Sequence, residues 1–382
     1  MTMEYHLPVN VIFGRGRVAE VGQRASVYGR RALLVTGAHS IRRSGLLNRI
    51  MEYLKRAGMT VELYDKVEQN PLTAMAEEGA ILAKDTGCQV VIGVGGGSIM
   101  DCAKAIAFLV KNPGDVNDYI YGREQGGSAL PIILVPTTCG TGSEGNGFAV
   151  LTNKDNGDKK SLRTNVIIPK TSIVDSELME TMPKQVLSSV GFDAFCHCME
   201  AFVSKQANSI TDALAIKGME LITQSLEFLY QDTETLEPER RGQLWDNLSM
   251  ASTLGGMVIH SAGVALPHGM EHPASGLKNV VHGRGLAALT PVIVEASQQM
   301  YSEKYGIISR ILGGRDNKDC GKQIRMLLDK LNLTTSLSKL GIQSKDIPWM
   351  TENCFKVSFA SIENHPILFN RDEIYQLYYR AL

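Results

Sequence analysis

The sequence predicts a two-domain protein of mixed class. An α/β domain with a parallel sheet is expected over residues 1–184, and an all-α domain over residues 185–382. Three observations carry this expectation. At 382 residues the chain exceeds the roughly 250–300 residues at which one hydrophobic core stops growing. Its first half alternates short β-rich runs with amphipathic stretches, the pattern of βαβ units whose sheet is covered on both faces. From about residue 183 β-branched runs become scarce and helical periodicity dominates almost to Leu382.

Taken in order, the apolar runs are Ala32–Thr36, Val61–Tyr64, Val90–Val94 and Ile132–Val135. Helices are expected between them at Leu46–Leu54, Met75–Leu82 and Ile99–Val110, where apolar residues recur at helical spacing. Two short pieces near the start, Val9–Phe13 and Ala32 onward, suggest an added edge hairpin or ribbon. Thr181 is placed as an N-cap, with Pro183 near the start of the first helix of the second domain. The charged segment Asp232–Arg241 reads as an exposed loop. Residues Asn247 to Met270 contain no Asp, Glu, Lys or Arg, a length that would span a bilayer. Two histidines, four glycines and Pro267 make the stretch too polar for insertion, so it is expected as a buried helix with a functional lining.

Lys and Arg number 39 against 40 Asp and Glu, with no long block of one sign. Nucleic-acid and membrane-surface partners need a concentrated basic face and are not expected. Seven cysteines without a C-x-x-C pair suit buried thiols in a reducing compartment. The N-terminus has neither a basic nor an apolar leader region. A cytoplasmic protein is the expectation.

Two loops suggest a nucleotide. Gly93-Val94-Gly95-Gly96-Gly97-Ser98-Ile99-Met100-Asp101 joins a strand to a helix start. Adjacent glycines let the backbone approach a ligand closely, and the helix N-terminus favours a phosphate or pyrophosphate. The loop matches neither G-x-G-x-x-G nor the G-K-[ST] fingerprint, and it follows the third apolar run, not the first. A Rossmann-like but distinct domain follows. Pro136-Thr137-Thr138-Cys139-Gly140-Thr141-Gly142-Ser143-Glu144 lies after the next strand and would face the same crevice.

A third constellation suggests a metal. Five of the eight histidines fall between residues 197 and 282. Asp193 and His197 are four apart, as are His268 and His272, so each pair shares a helix face; His282 follows ten residues later. A carboxylate with several imidazoles suits iron, zinc, cobalt or nickel rather than an oxygen-ligand magnesium cage. Cys196 and Cys198 project from other helix faces and are left as core thiols, and His260 has no partner by spacing.

Together these stretches resemble the iron-containing (group III) alcohol dehydrogenase family. The likeness rests on Gly95-Gly96-Gly97-Ser98 with Asp101, Pro136-Thr137-Thr138 through Glu144, Gly191-Phe192-Asp193 with His197, and His268, His272 and His282 in the family's order. The neighbourhood of Gly157-Asp158-Lys159-Lys160 is similar to the butanol-dehydrogenase-like branch. The resemblance implies a dinucleotide-binding α/β domain, a helical metal-binding domain of the dehydroquinate synthase-like type, and a catalytic metal in the cleft between them. By position it implies Asp193, His197, His268 and His282 as metal ligands, with His272 near the substrate. It also places pyrophosphate on Gly96, Gly97 and Ser98, nicotinamide by Thr137, Thr138 and Thr141, and a cofactor contact at Lys159. The metal is expected to be Fe2+, with Zn2+ also accepted by such ligands. Glu200 and Glu271 flank the ligands and are expected to support them, not to act in the chemistry.

NAD-preferring relatives carry an Asp just after the first strand. Here that strand runs into Gly37-Ala38-His39-Ser40-Ile41-Arg42-Arg43 without an acid. A hydroxyl and two guanidinium groups would attract a 2′-phosphate, so NADP(H) is expected over NAD(H). The implied reaction is reversible hydride transfer between a short-chain primary alcohol or aldehyde and the nicotinamide, in a homodimer or higher homo-oligomer. Two rivals are a metal-dependent lyase or synthase of the dehydroquinate-synthase type, and a non-catalytic nucleotide- or metal-binding protein.

Overall fold

Six strands form one parallel sheet: β1 (Asn10–Phe13), β2 (Arg31–Val35), β3 (Thr60–Tyr64), β4 (Val90–Gly95), β5 (Ile132–Pro136) and β8 (Thr171–Val174). Their spatial order is β1-β8-β5-β4-β2-β3, and every pairing is parallel. The remaining two, β6 (Phe148–Thr152) and β7 (Lys159–Arg163), make a two-stranded sheet. The structure is a computed structural model and describes residues 5–231 and 235–382.

Alternation along the strands sorts the sheet's side chains into two cores. Leu33, Val35, Val91 and Leu134 pack with the helices Thr73–Asp85 and Gly97–Lys111 on one face. Ala32, Leu34, Ile92, Val94, Ile133 and Ile173 pack on the other, with the helices Val21–Ser26 and Leu46–Arg56. Strands buried on both faces read as continuous apolar runs, which is why β2, β4 and β5 were visible in the sequence.

The chain moves outward from β2 to β3, then returns to place β4 on the other side of β2. That reversal is a topological switch point, where ligands bind in open α/β sheets beyond the carboxyl ends of the strands. The two loops that flank it are Thr36–His39 after β2 and Gly96 after β4.

The chain divides into two compact units. One is the sheet unit, residues 7–156 with 160–181; the other is helical, residues 182–382 with 5–6 and 157–159. In the helical unit Leu266, Met270, Leu289, Ile293, Met350 and Tyr378 belong to one buried core.

Four expectations are corrected. β1 is not part of a hairpin; it pairs in parallel with β8 at the sheet edge, and the separate ribbon is β6–β7. Pro183, not Thr181, is the N-cap of the helix Lys184–Val203, and no side chain caps it. The helix Pro238–Ala262 begins inside the expected loop, with Pro238 at its start where a missing N–H costs nothing; residues 232–234 of that loop lie outside the described residues. The uncharged stretch is not one helix: Pro238–Ala262 and Leu266–Lys278 meet at a bend of 103°. Gly263, at φ +68°, supplies the turn, and Asn364 Nδ2 donates to the carbonyls of Ala262 (2.7 Å) and Val264 (2.9 Å). Among the described residues one single helix, Lys184–Val203, is long and apolar enough to cross a bilayer, and 89% of that stretch is buried inside the protein. All seven cysteines are buried and unbridged.

Candidate metal and cofactor sites

Three helices of the helical unit bring the predicted metal ligands together. Asp193 and His197 lie one turn apart on Lys184–Val203, His268 lies in the first turn of the helix Leu266–Lys278, and His282 is the first residue of His282–Ser297. Between the last two, Asn279 ends its helix in the left-handed conformation (φ 50°), which short polar side chains tolerate.

Asp193 Oδ1 is the hub. His268 Nε2 lies 3.4 Å away, and His197 Nε2 and His282 Nε2 each 3.6 Å. Ligand atoms around one ion at about 2.0–2.2 Å are separated by such distances. Asp193 Oδ1 and His268 Nε2 are both buried and have no hydrogen-bond partner. Two orphaned polar atoms facing each other in a dry interior are costly unless something bonds both. The donor set therefore fits a divalent transition metal. Burial opposes ionisation of Asp193, but the imidazoles of His197, His282 and His268 outweigh it and hold the carboxyl below its usual range.

Two buried glutamates fix the rings. Glu200 Oε1 accepts from His268 Nδ1 (2.7 Å), which turns Nε2 toward Asp193. Its other oxygen accepts from the backbone N–H of Ala265 (2.8 Å) and of His268 (3.3 Å), capping a helix start that has no capping side chain of its own. Glu271 binds His282 Nδ1 through Oε2 and accepts from Ser275 Oγ through Oε1. A Cβ on Gly285 would stand 2.8 Å from the Glu271 side chain, so glycine makes room for it. Burial would raise the Glu271 pKa, yet His282 and Lys159 hold it down to about 2.

His272 sits beside this set, its ring centroid 5.9 Å from that of His282. Glu271, His272 and His282 also offer ligand atoms within 4.8 Å of one another, as Asp193, His268 and His282 do. Burial, and then the charge of Lys159, push the His272 pKa well below the ordinary range, so its ring is neutral at pH 7. Pro273 lacks the N–H that would bond the Gly269 carbonyl; Cys354 Sγ donates to that oxygen instead (3.3 Å). Cys196 and Cys198 are core thiols, Cys196 3.6 Å from Thr290 Oγ1 and Cys198 pushed up to about 12 by burial. His260 is half-buried near the end of its helix.

In the sheet unit the two predicted loops lie against each other. A Cβ on Gly97 would come within 2.3 Å of Thr141 Cγ2, and one on Gly96 within 3.2 Å of Thr138 Oγ1. Thr137 N donates to Gly95 O (3.0 Å). The helix Gly97–Lys111 has Gly96 as its N-cap, and no side chain caps its first N–H groups. Gly37 follows β2 at the switch point, and Ala38, His39, Arg42 and Arg43 line a cavity of about 300 Å³. Ser40 begins the short helix Ser40–Arg43.

Residues 8–176 match the family described as "Iron-containing alcohol dehydrogenase", and residues 188–382 match "Fe-containing alcohol dehydrogenase family, C-terminal". The chain belongs to the iron-containing alcohol dehydrogenase family. It is 29% identical to Alcohol dehydrogenase 4 of Saccharomyces cerevisiae (strain YJM789), over 99% of this chain and 98% of that one. It is 28% identical to the NAD-dependent methanol dehydrogenase of Bacillus methanolicus, over 92% and 93%. An archaeal halo-thermophilic Red Sea brine pool alcohol dehydrogenase superposes with a TM-score of 0.94 at 30% identity, over 100% of this chain and 99% of that one.

Against this family's expected sites, three placements differ from what sequence alone conveyed. Lys159 lies in the helical unit of this alcohol dehydrogenase, buried, with Nζ 3.7 Å from Glu271 Oε2. Asp158 anchors it there by accepting from Asn353 Nδ2 and pairing with Lys356 Nζ, both at 2.7 Å. Asp101 is occupied: Ser143 Oγ donates to Oδ1 (2.6 Å) and Val150 N to Oδ2 (3.0 Å). Arg42 is paired with Asp65 (2.5 Å), an acid just after β3 that the sequence reading missed. A search for acids after every strand flanking β2 would have found it.

Proposed function

We propose that Asp193, His197, His268 and His282 hold one Fe2+, a site that would also accept Zn2+, and that a nicotinamide dinucleotide lies on Gly95, Gly96, Gly97 and Ser98. The chain is an alcohol dehydrogenase, and the reaction proposed for it is reversible hydride transfer between a short-chain primary alcohol or its aldehyde and the nicotinamide. The observation that carries this reading is the convergence of three imidazole Nε2 atoms on Asp193 Oδ1 at 3.4–3.6 Å, with two of the four atoms buried and unbonded.

When bound, the metal supplies a Lewis acid that stabilises alkoxide-like charge on the substrate oxygen. The protein's own groups do the rest. Glu200 and Glu271 hold the His268 and His282 rings in the tautomer that presents Nε2. Neutral His272 takes the alcohol proton during oxidation and returns it during reduction. Gly37, Thr137, Thr138, Thr141 and Lys159 complete the cofactor's surroundings, and Asp101 supports them. A lyase or synthase of the dehydroquinate-synthase type is not favoured, because the relatives are alcohol dehydrogenases.

An aldehyde panel with NADPH and NADH, on enzyme of measured metal content, tests the reading. Oxidation of reduced nucleotide that scales with bound metal is expected. Absence of turnover from metal-replete protein that binds nucleotide would favour a non-catalytic binder.

NADP(H) preference is part of the proposal, together with a homodimer or higher homo-oligomer assembled through the N-terminal edge and a cytoplasmic setting. Asp65 offsets Arg42, so Arg43, with Ser40, is the group left to meet a 2′-phosphate at the cavity. Arg43→Ala should lower kcat/KM for NADPH about tenfold or more relative to NADH, the worth of one charged hydrogen bond. A wild-type kcat/KM higher with NADH would overturn the preference and leave the dinucleotide site standing.

A further inference from the structure

Between β6 and β7 the chain changes company for three residues. Gly157, Asp158 and Lys159 belong to the helical unit, whereas the chain before and after them belongs to the sheet unit. Residues far apart in the sequence make room for this turn. Gly157 has φ +73°, in the left-handed region, and a Cβ there would stand 3.4 Å from the Trp349 ring. Gly276, inside the helix Leu266–Lys278, admits the Gly157 carbonyl: a Cβ at 276 would lie 2.0 Å from that backbone oxygen. Buried Asp158 accepts from Asn353 Nδ2 and pairs with Lys356 Nζ, both at 2.7 Å. Trp349, Asn353 and Lys356 follow one another at helical spacing on Ile347–Val357, so one helix face receives the turn. Asn353 is itself buried, and its Oδ1 has no hydrogen-bond partner; its amide N–H group is committed to Asp158.

Neighbouring side chains turn to different helices, Asp158 to Ile347–Val357 and Lys159 to Leu266–Lys278. The Lys159 side chain is only 6% exposed, and Nζ lies 3.7 Å from Glu271 Oε2. That separation is too long for a hydrogen bond, and among the described residues Nζ has no other partner. An ammonium has three N–H donors, and burying them without acceptors is costly. Lys159 is thus a cation held beside Glu271 with its donors uncommitted, the state of a group that meets a ligand's oxygens. Lysine's stem is flexible, so the place of the cation depends on where its backbone is held.

We propose that Asp158 is a positioning residue for Lys159: docked on Asn353 and Lys356, it fixes the turn so that the uncommitted ammonium meets the bound dinucleotide. This rests on the cofactor contact proposed above for Lys159. Because Lys356 neutralises Asp158, the carboxylate does not compete for the Lys159 ammonium. Asp158 is buried against the helix Ile347–Val357, so it acts on the cofactor only through its neighbour.

The test is a double-mutant cycle in the metal-replete enzyme: Asp158→Ala, Lys159→Met and the two combined. NADH and NADPH binding is followed by fluorescence titration, and metal content is measured for each protein. Asp158→Ala and Lys159→Met should each raise the cofactor Kd about tenfold, the worth of one charged hydrogen bond, with bound metal at the wild-type level. In the Lys159→Met background Asp158→Ala should add less than about twofold, since the group it positions is gone. Lys356→Met removes one anchor from the solvent side and should show the same dependence on Lys159 if Asp158→Ala does not fold. An equal rise in Kd for Asp158→Ala with and without Lys159 would mean general loosening, and it overturns the positioning role. Unchanged affinity in both Asp158→Ala and Lys356→Met overturns it as well. Wild-type affinity in Lys159→Met removes the cofactor contact and the positioning role with it. A wild-type protein that binds neither nucleotide overturns the dinucleotide reading itself.

Discussion

Asp193→Ala is expected to lose bound metal and dehydrogenase activity together. Asp193 contributes the oxygen on which His197, His268 and His282 all converge, and it is the only carboxylate among the four proposed ligands. Removing it leaves three imidazoles with no anionic partner at their centre, and the neighbouring Glu200 and Glu271 are already committed to ring nitrogens. A metal assay on protein purified in parallel with wild type checks this. One equivalent should be recovered in wild type after reloading with ferrous iron, and far less in the variant. His268→Ala should behave the same way, since its Nε2 is the other proposed ligand atom that is buried without a hydrogen-bond partner. Full stoichiometry in either variant would break the ligand assignment, whatever the activity.

His272→Ala should give the opposite split, with metal retained and kcat reduced by about 10²–10⁴-fold, the usual range for a lost acid–base group. The ring is buried beside His282 but is not joined to Asp193, and Lys159 helps keep it unprotonated. The competing possibility is concrete: Glu271, His272 and His282 also form a set able to hold an ion. Metal analysis of His272→Ala decides between them. Loss of the ion would move the centre to that second triad, and retention with slow turnover would support the proton-transfer role.

Much of this site was legible in the sequence because its chemistry is local. Asp193 with His197 is an i, i+4 pair, so helical geometry alone assembles half of the proposed ligand set, and His268 with His272 brings a third ligand and its neighbour onto one face. The strands β2, β4 and β5 were legible because both of their faces are buried. β8 was not: Thr171 and Ser172 open it, and four residues are too few to show a pattern. Strand order was equally hidden, since it is set by pairings between distant segments, and with it the switch point beside which the proposed cofactor loops lie. The same limit explains Arg42. Its partner Asp65 is 23 residues away on the far side of a helix, so two arginines in sequence looked uncompensated. Buried Lys104 is equally hidden: a lysine in a helix reads as solvated, and nothing local signals that its Nζ donates to Ser143, Asn146 and Phe148, about forty residues downstream.

Glu200 has a consequence for how this centre tolerates change. One of its oxygens orients the His268 ring, and the other closes the start of the helix that carries His268. The bend after Ala262, held by Asn364, and the aim of the imidazole are thus mechanically coupled through one carboxylate. Substitutions at Gly263 or Asn364, which touch no proposed ligand, would be transmitted to the proposed metal site as a tilt of the His268 ring. Drift in this enzyme's metal selectivity should therefore be sought at that joint as much as among the ligands themselves.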